Sequence, residues 1–170
     1  TLLKHKLPEE KQQKMLQMVL SETNRLNTLT NNVLIASQLE GGAYRIEKEE
    51  IDLSRLGEAC IHEFRLRFPD RQWEVEIEPG LHLSGDLLLL QILINNLLDN
   101  AVKYSPKEAP IHFAVKKERQ GITIQVKDEG SGVPDKEKKK IFGRFYRIGN
   151  ETVRSSKGTG LGLYLCSKIA

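Results

Sequence analysis

Apolar residues recur along the first forty residues at spacings of three and four, which is the period of an α-helix. Pro8 followed by two glutamates is typical of a first helical turn, and no glycine or proline interrupts the pattern before Gly41. The pattern predicts one helix of about thirty residues. Because a narrow apolar stripe is marginal alone, this helix should pack against another helix. The stripe consists of Met15, Val19, Glu22, Leu26, Leu29, Val33 and Ala36, and its one charged position, Glu22, fits a helical bundle with some polar layers.

After Gly41 and Gly42 the pattern changes to short alternating runs and shorter helices. It predicts half-exposed strand character at 44–47 and 50–53 and further strands at 73–78, 81–83, 111–116 and 122–127. It also predicts three helices: one from about Leu56 to Pro69, an apolar one at 87–104 capped by Asp86, and a last one from about Leu161. The expected organisation is a helical appendage over residues 1–42, followed by an α+β domain over 43–170 with helices on one face of a sheet.

Composition and charge narrow the class of protein. The 170 residues are 39% hydrophobic and 29% charged, which favours a globular chain, and the net charge of +3 is too small to indicate nucleic-acid binding. The positive excess lies between Val133 and Lys157, where eight basic residues face three acidic ones. Cys60 and Cys166 form no disulfide or zinc pattern. The longest apolar stretch is too short to span a bilayer, so we expect a cytoplasmic segment without membrane contact.

The first candidate site is a polar face on the apolar helix at 87–104. Asn96, Asn100, Lys103 and Tyr104 follow helical spacing and so share one side. Carboxamide oxygens suit Mg²⁺, a lysine can neutralise a phosphate, and a tyrosine ring can lie against a base. The alternative is a helix edge that meets solvent or caps a neighbouring loop.

Two glycine-rich loops follow. Asp128 follows a predicted strand and precedes a turn that contains Gly130 and Gly132. At this position its carboxylate can accept a hydrogen bond from a purine amine. Residues 158–162 carry glycine at every second position just before a helix, which suits a phosphate cradle. An ordinary turn remains the alternative for each loop taken singly, and the second loop matches neither the Walker A nor the Rossmann pattern.

Between the loops, Phe142 and Phe145 are spaced to anchor a cover by packing onto the domain, and arginines beside them can reach phosphates. Interleaved arginine and aromatic residues also occur in RNA-binding proteins. The neighbouring glycine loops favour phosphate contact, so no nucleic-acid partner is expected.

In this order, the motifs resemble the ATP-binding catalytic domain of bacterial two-component sensor histidine kinases. The resemblance runs from about residue 9 to the end: the first helix is similar to the second helix of the dimerisation and phosphoacceptor hairpin, and the later motifs are similar to the N, G1, F and G2 boxes. It implies a Bergerat-type α/β sandwich, a mixed sheet covered on one face by helices, preceded by the long hairpin helix.

The resemblance also implies ATP and Mg²⁺ as ligands and gives roles to matching residues. Asn100 would coordinate Mg²⁺, Asn96 would hold phosphate or metal-bound water, Lys103 would contact phosphate, Tyr104 would lie against the base and Asp128 would recognise the adenine amine. The region from Val133 to Lys157, called the lid below, would cover the nucleotide. The remaining residues expected at the nucleotide are Gly130, Gly132, Phe145, Arg147, Gly158, Thr159, Gly160, Leu161, Gly162 and Leu163.

The implied activity is transfer of the ATP γ-phosphate to a hairpin histidine and then to a response-regulator aspartate, in a homodimer that is anchored in the inner membrane when intact. Asn96 stands where related hydrolases carry a glutamate, which disfavours hydrolysis, although Asp99 is close in sequence. A non-catalytic ATP-sensing or dimerisation module is the other alternative.

The sequence departs from the family's pattern in two ways. No residue matches the phosphoacceptor motif, since His5 lies near a turn, and the chain ends before the family's closing strands. We therefore expect an excerpt that binds nucleotide without phosphorylating itself.

Overall fold

The computed structural model describes residues 8–148 and 158–170, and it divides into two compact units, one up to Ala43 and the other from Tyr44 to Ala170. Helix α1, Glu9–Glu40, is the first unit's main element. It begins directly after Pro8 and ends where Gly42 adopts a φ of 64°. The predicted helix of about thirty residues is confirmed. Several of its apolar side chains are exposed, among them Leu16, Leu20 and Leu26.

The second unit contains the remaining helices and all the strands of the described residues. In chain order these are β1 (Glu49–Asp52), α2 (Leu53–Arg67), β2 (Trp73–Ile77), β3 (His82–Gly85), α3 (Leu87–Tyr104), β4 (Ile111–Glu118), β5 (Gly121–Lys127), a 3-10 turn (Lys140–Phe142) and α4 (Gly162–Ile169). Strands β1 and β3 form an antiparallel pair. Strand β4 is central in a three-stranded mixed sheet, parallel to β2 and antiparallel to β5.

The core lies between this sheet and the helices. Alternate residues of β4, Ile111, Phe113 and Val115, are fully buried, as are Ile94 and Leu98 of α3. The opposite face of the sheet is polar, with two contacts that link β2 to β4: His112 Nδ1 lies 2.8 Å from the Glu74 carboxylate, and Lys116 forms an ion pair with Glu76 at 2.6 Å. The period-two alternation of the strands thus separates a buried face from a solvated one. The predicted α+β class, with a mixed sheet covered on one face by helices, is confirmed.

Two predicted boundaries are wrong, and the carboxylates of Asp52 and Asp86 explain both. Helix α2 begins at Leu53 because the Asp52 side chain accepts a hydrogen bond from the Arg55 amide and caps the helix. The segment at 44–47 is not a strand. Its polar groups are bound to Asp86 instead: the Tyr44 hydroxyl donates to that carboxylate at 3.2 Å and the Glu47 amide at 3.1 Å. Among residues 8–148 and 158–170, no helix has the length and hydrophobicity of a membrane span.

Candidate nucleotide site

Helix α3 presents the predicted polar face. The helix forms because Asp86 caps its first turn, accepting from the Leu89 amide at 3.1 Å, and because its apolar residues fill the core; it ends before Pro106. Asn96, Asn100 and Lys103 are half-buried on the helix surface. The Lys103 ammonium group donates to the Tyr104 hydroxyl at 2.9 Å and lies 4.5 Å from the centre of that ring. A cation and an aromatic ring are thus held together at the end of the helix.

Gly158, in the loop before α4, and Gly162, the first residue of α4, bring that loop into contact with this face. A Cβ atom at Gly158 would collide with the Lys103 ammonium group. A Cβ atom at Gly162 would lie 2.7 Å from Asn96 Oδ1, whose own Nδ2 donates to the Ile92 carbonyl at 2.9 Å. A side chain at either glycine would have to displace the Lys103 or the Asn96 side chain. Each of these glycines therefore allows the loop backbone to approach a polar side chain of α3.

The middle glycine has a different neighbour. Gly160 adopts a φ of 73°, and a Cβ atom there would lie 2.6 Å from the carbonyl carbon of Phe145 and 2.8 Å from the carbonyl oxygen of Tyr146. A side chain at position 160 is therefore excluded by the lid backbone, which cannot rotate aside as a side chain can. One loop thus contacts both α3 and the lid.

The other predicted residues of this loop have distinct environments. The Thr159 hydroxyl accepts a hydrogen bond from the Leu161 amide at 3.3 Å, while the Leu161 side chain is fully buried and Leu163 is half-buried. Leu161 is consequently available to a ligand through its backbone only. Lys157 lies outside the described residues, with the lid residues from Gly149 onwards.

The Asp128 turn lies at the end of α3. The exposed Asp128 carboxylate accepts a hydrogen bond from the Gly130 amide at 2.7 Å. A Cβ atom at Gly130 would lie 2.8 Å from the Tyr104 carbonyl oxygen, and Gly132 has a φ of 71° that favours glycine. The turn therefore approaches the residue that the sequence predicts to contact the base.

Within the lid, residues 133–148 have little regular structure. The Tyr146 hydroxyl donates to the Glu137 carboxylate, and this hydrogen bond lowers the pKa of Glu137 and raises the pKa of Tyr146. Lys140 is 3.6 Å from the same carboxylate. This contact between Glu137 and Tyr146 was absent from the sequence predictions, since a nine-residue separation across an irregular segment follows no period.

The two phenylalanines predicted to anchor the lid are each about half exposed, and the 3-10 turn that contains Phe142 contacts α4. Phe142 and Phe145 are 44% and 55% exposed, and Phe145 adopts a φ of 59°, which is uncommon for an aromatic residue. The Arg144 guanidinium lies 5.0 Å from the Phe145 ring, and Val133 is also exposed while Arg147 is half-buried. The lid contacts the glycine loop through the Phe145 backbone, and the ring stays largely in solvent.

Asp99, the carboxylate nearest the polar face in sequence, is already paired. Its Oδ1 atom is 3.4 Å from an Nη atom of Arg67, and the Arg67 guanidinium in turn lies 5.0 Å from the Phe68 ring. Burial raises the pKa of Asp99, and the charges of Arg67 and Lys103 oppose that rise. The ion pair gives Asp99 a structural role at the contact between α2 and α3.

The geometry therefore joins four separated motifs: the α3 face, the Asp128 turn, the lid and the glycine loop. A model of the family described as histidine kinase-, DNA gyrase B- and HSP90-like ATPase matches residues 85–170, which contain all four. The chain belongs to this ATPase family. Its relatives show which branch: the sensor histidine kinase WalK of Bacillus subtilis is 32% identical over 92% of this chain.

A second relative, the signal transduction histidine-protein kinase ArlS of Staphylococcus haemolyticus, is 31% identical over 91% of the chain. The chain spans 26% of the length of WalK and 34% of ArlS. Among solved structures, the mycobacterial sensor histidine kinase MprB is 28% identical, with a TM-score of 0.63 over 72% of this chain and 78% of that one. The chain is thus a histidine kinase ATPase domain of the sensor-kinase type.

Proposed function

We propose that this histidine kinase domain binds Mg-ATP in the space bordered by α3, the Asp128 turn and the glycine loop, and that the intact protein passes the γ-phosphate to a histidine. The observation that carries the proposal is the set of close approaches at Gly158, Gly160 and Gly162. Gly158 and Gly162 place a bare loop backbone beside an ammonium group and a carboxamide, and Gly160 places it beside the lid backbone. Such a backbone at a helix N-terminus suits a phosphate chain.

The α3 face supplies the polar groups for the two ends of the nucleotide. Lys103 would neutralise phosphate charge, Tyr104 would lie against the base, and Asp128 would accept a hydrogen bond from the adenine amine through the carboxylate oxygen that does not cap Gly130. Val133, Phe145, Arg147 and Lys157 would border the nucleotide from the lid.

Asn96 and Asn100 fit Mg²⁺ by the chemistry of their oxygens, because this ion takes few protein ligands and remains bound to water and phosphate. The described residues contain no group of three histidine, cysteine, aspartate or glutamate side chains that could hold a metal by themselves. That composition suits an ion which enters with the nucleotide. Bound Mg²⁺ would supply neutralisation of phosphate charge.

Phosphotransfer in such a site depends on positioning and charge neutralisation. A histidine nitrogen would form a bond to the γ-phosphorus while the bond from that phosphorus to the bridging oxygen breaks, and ADP would leave. The phosphoryl group would then pass to an aspartate of a response-regulator receiver domain. The α3 face carries the Asn96 carboxamide where related hydrolases carry a glutamate, and the nearby Asp99 is paired with Arg67, which favours transfer over hydrolysis.

Calorimetric titration with Mg-ATP tests the proposal on the wild-type chain and on Asp128→Asn. The asparagine oxygen can still cap the turn, but its amide nitrogen cannot accept from the adenine amine, so we expect affinity to fall by about tenfold with the fold intact. Asp70→Asn, in the exposed turn before β2, is the matched control. Absence of binding by the wild type would contradict the proposal.

Product analysis on a hairpin carrying an acceptor histidine separates the alternatives. Phosphohistidine supports the kinase, free phosphate indicates a hydrolase, and binding with neither product indicates an ATP-sensing module.

A further inference from the structure

The turn that joins α2 to β2 is bound to the last turn of α3 through one side chain. Nη2 of Arg71 donates to the Val102 carbonyl at 2.9 Å and more weakly to the Ser105 carbonyl at 3.5 Å, and Nη1 donates to the Pro106 carbonyl. One guanidinium thus donates to three backbone oxygens, one in the last turn of α3 and two just after the helix.

Those oxygens need a partner from outside the helix. The last four carbonyls of a helix have no intrahelical donor, and in α3 the Ser105 amide makes the closing bond, to Ala101 at 3.0 Å. Pro106 has no N–H with which to extend the ladder. A guanidinium is suited to this position because it holds several donors in a fixed plane and brings positive charge to the negative end of the helix dipole.

The helical turn held by Arg71 is the one that carries Lys103 and Tyr104. Its opposite side meets the Asp128 turn, where Gly130 approaches the Tyr104 carbonyl. The backbone around Tyr104 is therefore fixed from two directions, by Arg71 and by Gly130. A displacement of this turn would move the Lys103 ammonium relative to Gly158 and the Tyr104 ring relative to Asp128.

A second arginine of the same region acts on a side chain only. Arg67 is paired with Asp99, and its side chain is 62% exposed, so solvent weakens that contact. Arg71 differs because its bonds are to backbone atoms in the last turn of α3 and in the two residues that follow the helix.

We propose that Arg71 is a positioning residue of the nucleotide site, which sets the place of Lys103 and Tyr104 by binding the Val102 carbonyl in the last turn of α3 and the Ser105 and Pro106 carbonyls that follow the helix. The effect of Arg71 on nucleotide affinity rests on the proposed function, whereas its hydrogen bonds to the end of the helix do not. It acts through the backbone of α3 and is separate from the groups assigned above to ATP.

The test is Arg71→Lys in the same 170-residue chain. Lysine keeps the charge but lacks the planar fork, so it cannot reach all three oxygens together. We expect Mg-ATP affinity to fall by about tenfold and hydrogen exchange of the Ser105 amide to accelerate by a similar factor. Each change corresponds to the loss of about one to two hydrogen bonds. Arg119→Lys, at an exposed arginine of the β4–β5 hairpin, should change neither quantity.

Unchanged affinity together with unchanged Ser105 exchange in Arg71→Lys would overturn the proposal. If the wild type itself fails to bind Mg-ATP, the proposed function is wrong, and Ser105 exchange still decides whether Arg71 holds the helix end. Should Arg71→Lys not fold, nitrogen-15 spectra of the wild-type guanidinium decide: restricted rotation and slow exchange of the Nη protons support the proposal, and free rotation overturns it.

Discussion

The α3 side and the lid side of the nucleotide site differ in what fixes their conformation. On the α3 side a regular helix is capped by Asp86, packed through fully buried Ile94 and Leu98, and held at its end by Arg71. On the lid side the described residues have only a three-residue 3-10 turn, exposed phenylalanines and an internal hydrogen bond from Tyr146 to Glu137. Core packing therefore fixes the conformation of the α3 side, and local contacts fix the conformation of the lid side.

The glycine loop between the two sides shows what this difference implies for substitutions. Gly158 and Gly162 face side chains of α3, which can rotate away, whereas Gly160 faces the lid backbone, which cannot. The most severe effect of added bulk should thus come at the contact with the less regular side.

Gly160→Ala should have the largest effect. Alanine at a φ of 73° is strained, and its Cβ atom would collide with the Phe145 backbone, so the loop and the lid must separate. We expect Mg-ATP affinity to fall by about 100-fold, corresponding to ~3 kcal/mol of backbone overpacking. Calorimetry measures this directly.

Gly80→Ala is the matched control for that substitution. Gly80 has nearly the same φ, 72°, but no atom lies within 4 Å of the position of its Cβ. It should lower the free energy of unfolding by the left-handed strain alone, ~1 kcal/mol, and leave affinity unchanged. Equal affinities for the two variants would mean that the lid contact at Gly160 is irrelevant to binding.

Gly162→Ala should have a smaller effect on affinity without loss of stability. Alanine is favoured over glycine within a helix, but here its Cβ atom would displace the Asn96 carboxamide. We expect about a tenfold loss of Mg-ATP affinity and no decrease in the unfolding temperature.

A double-mutant cycle with Asn96→Ala isolates that contact. Without the Asn96 carboxamide there is nothing for the new methyl group to displace, so Gly162→Ala should cost little further affinity in that background. An identical cost in both backgrounds would show that Gly162 acts independently of Asn96.

The α3 side could be predicted from the sequence much more fully than the lid. The period of the apolar residues placed α3, Asp86 identified its first turn, and Pro106 marked its end, because each signal is local. The hairpin of β4 and β5 followed in the same way from alternation around Gln120 and Gly121. Helical spacing also grouped Asn96, Asn100 and Lys103 on one surface.

The errors and omissions concern contacts between residues that no period relates. Arg71 lies thirty-one residues from the Val102 carbonyl that it binds, and its partners are backbone atoms, which leave no trace in the sequence. Tyr44 and Glu47 alternate like a strand, yet the Asp86 carboxylate takes their donors. Phe142 and Phe145 have the spacing of an apolar anchor, but spacing alone cannot say whether a core lies beneath them.

The contact between Glu137 and Tyr146 should give the smallest effect, and one that depends on pH. The pKa of Tyr146 is raised above its ordinary value, so its contribution is full below about pH 10 and is lost as pH rises through the shifted pKa. The pKa of Glu137 is lowered, so its contribution is present above about pH 4.5 and is lost as pH falls through the shifted pKa. The lid should therefore be most protected between these limits.

Amide exchange of Gly143, which donates to the Lys140 carbonyl at 2.8 Å within this segment, measures that protection. Tyr146→Phe should raise its rate by about threefold to tenfold near neutral pH and abolish the additional opening at high pH, while the opening at low pH should shrink to what the ion pair of Glu137 with Lys140 contributes. Asp135→Asn is the control, because that side chain is 93% exposed and should leave the profile as it is. A Tyr146→Phe profile identical to the wild type would mean that other contacts order the lid, and the contrast with the core-supported α3 side would then need another origin.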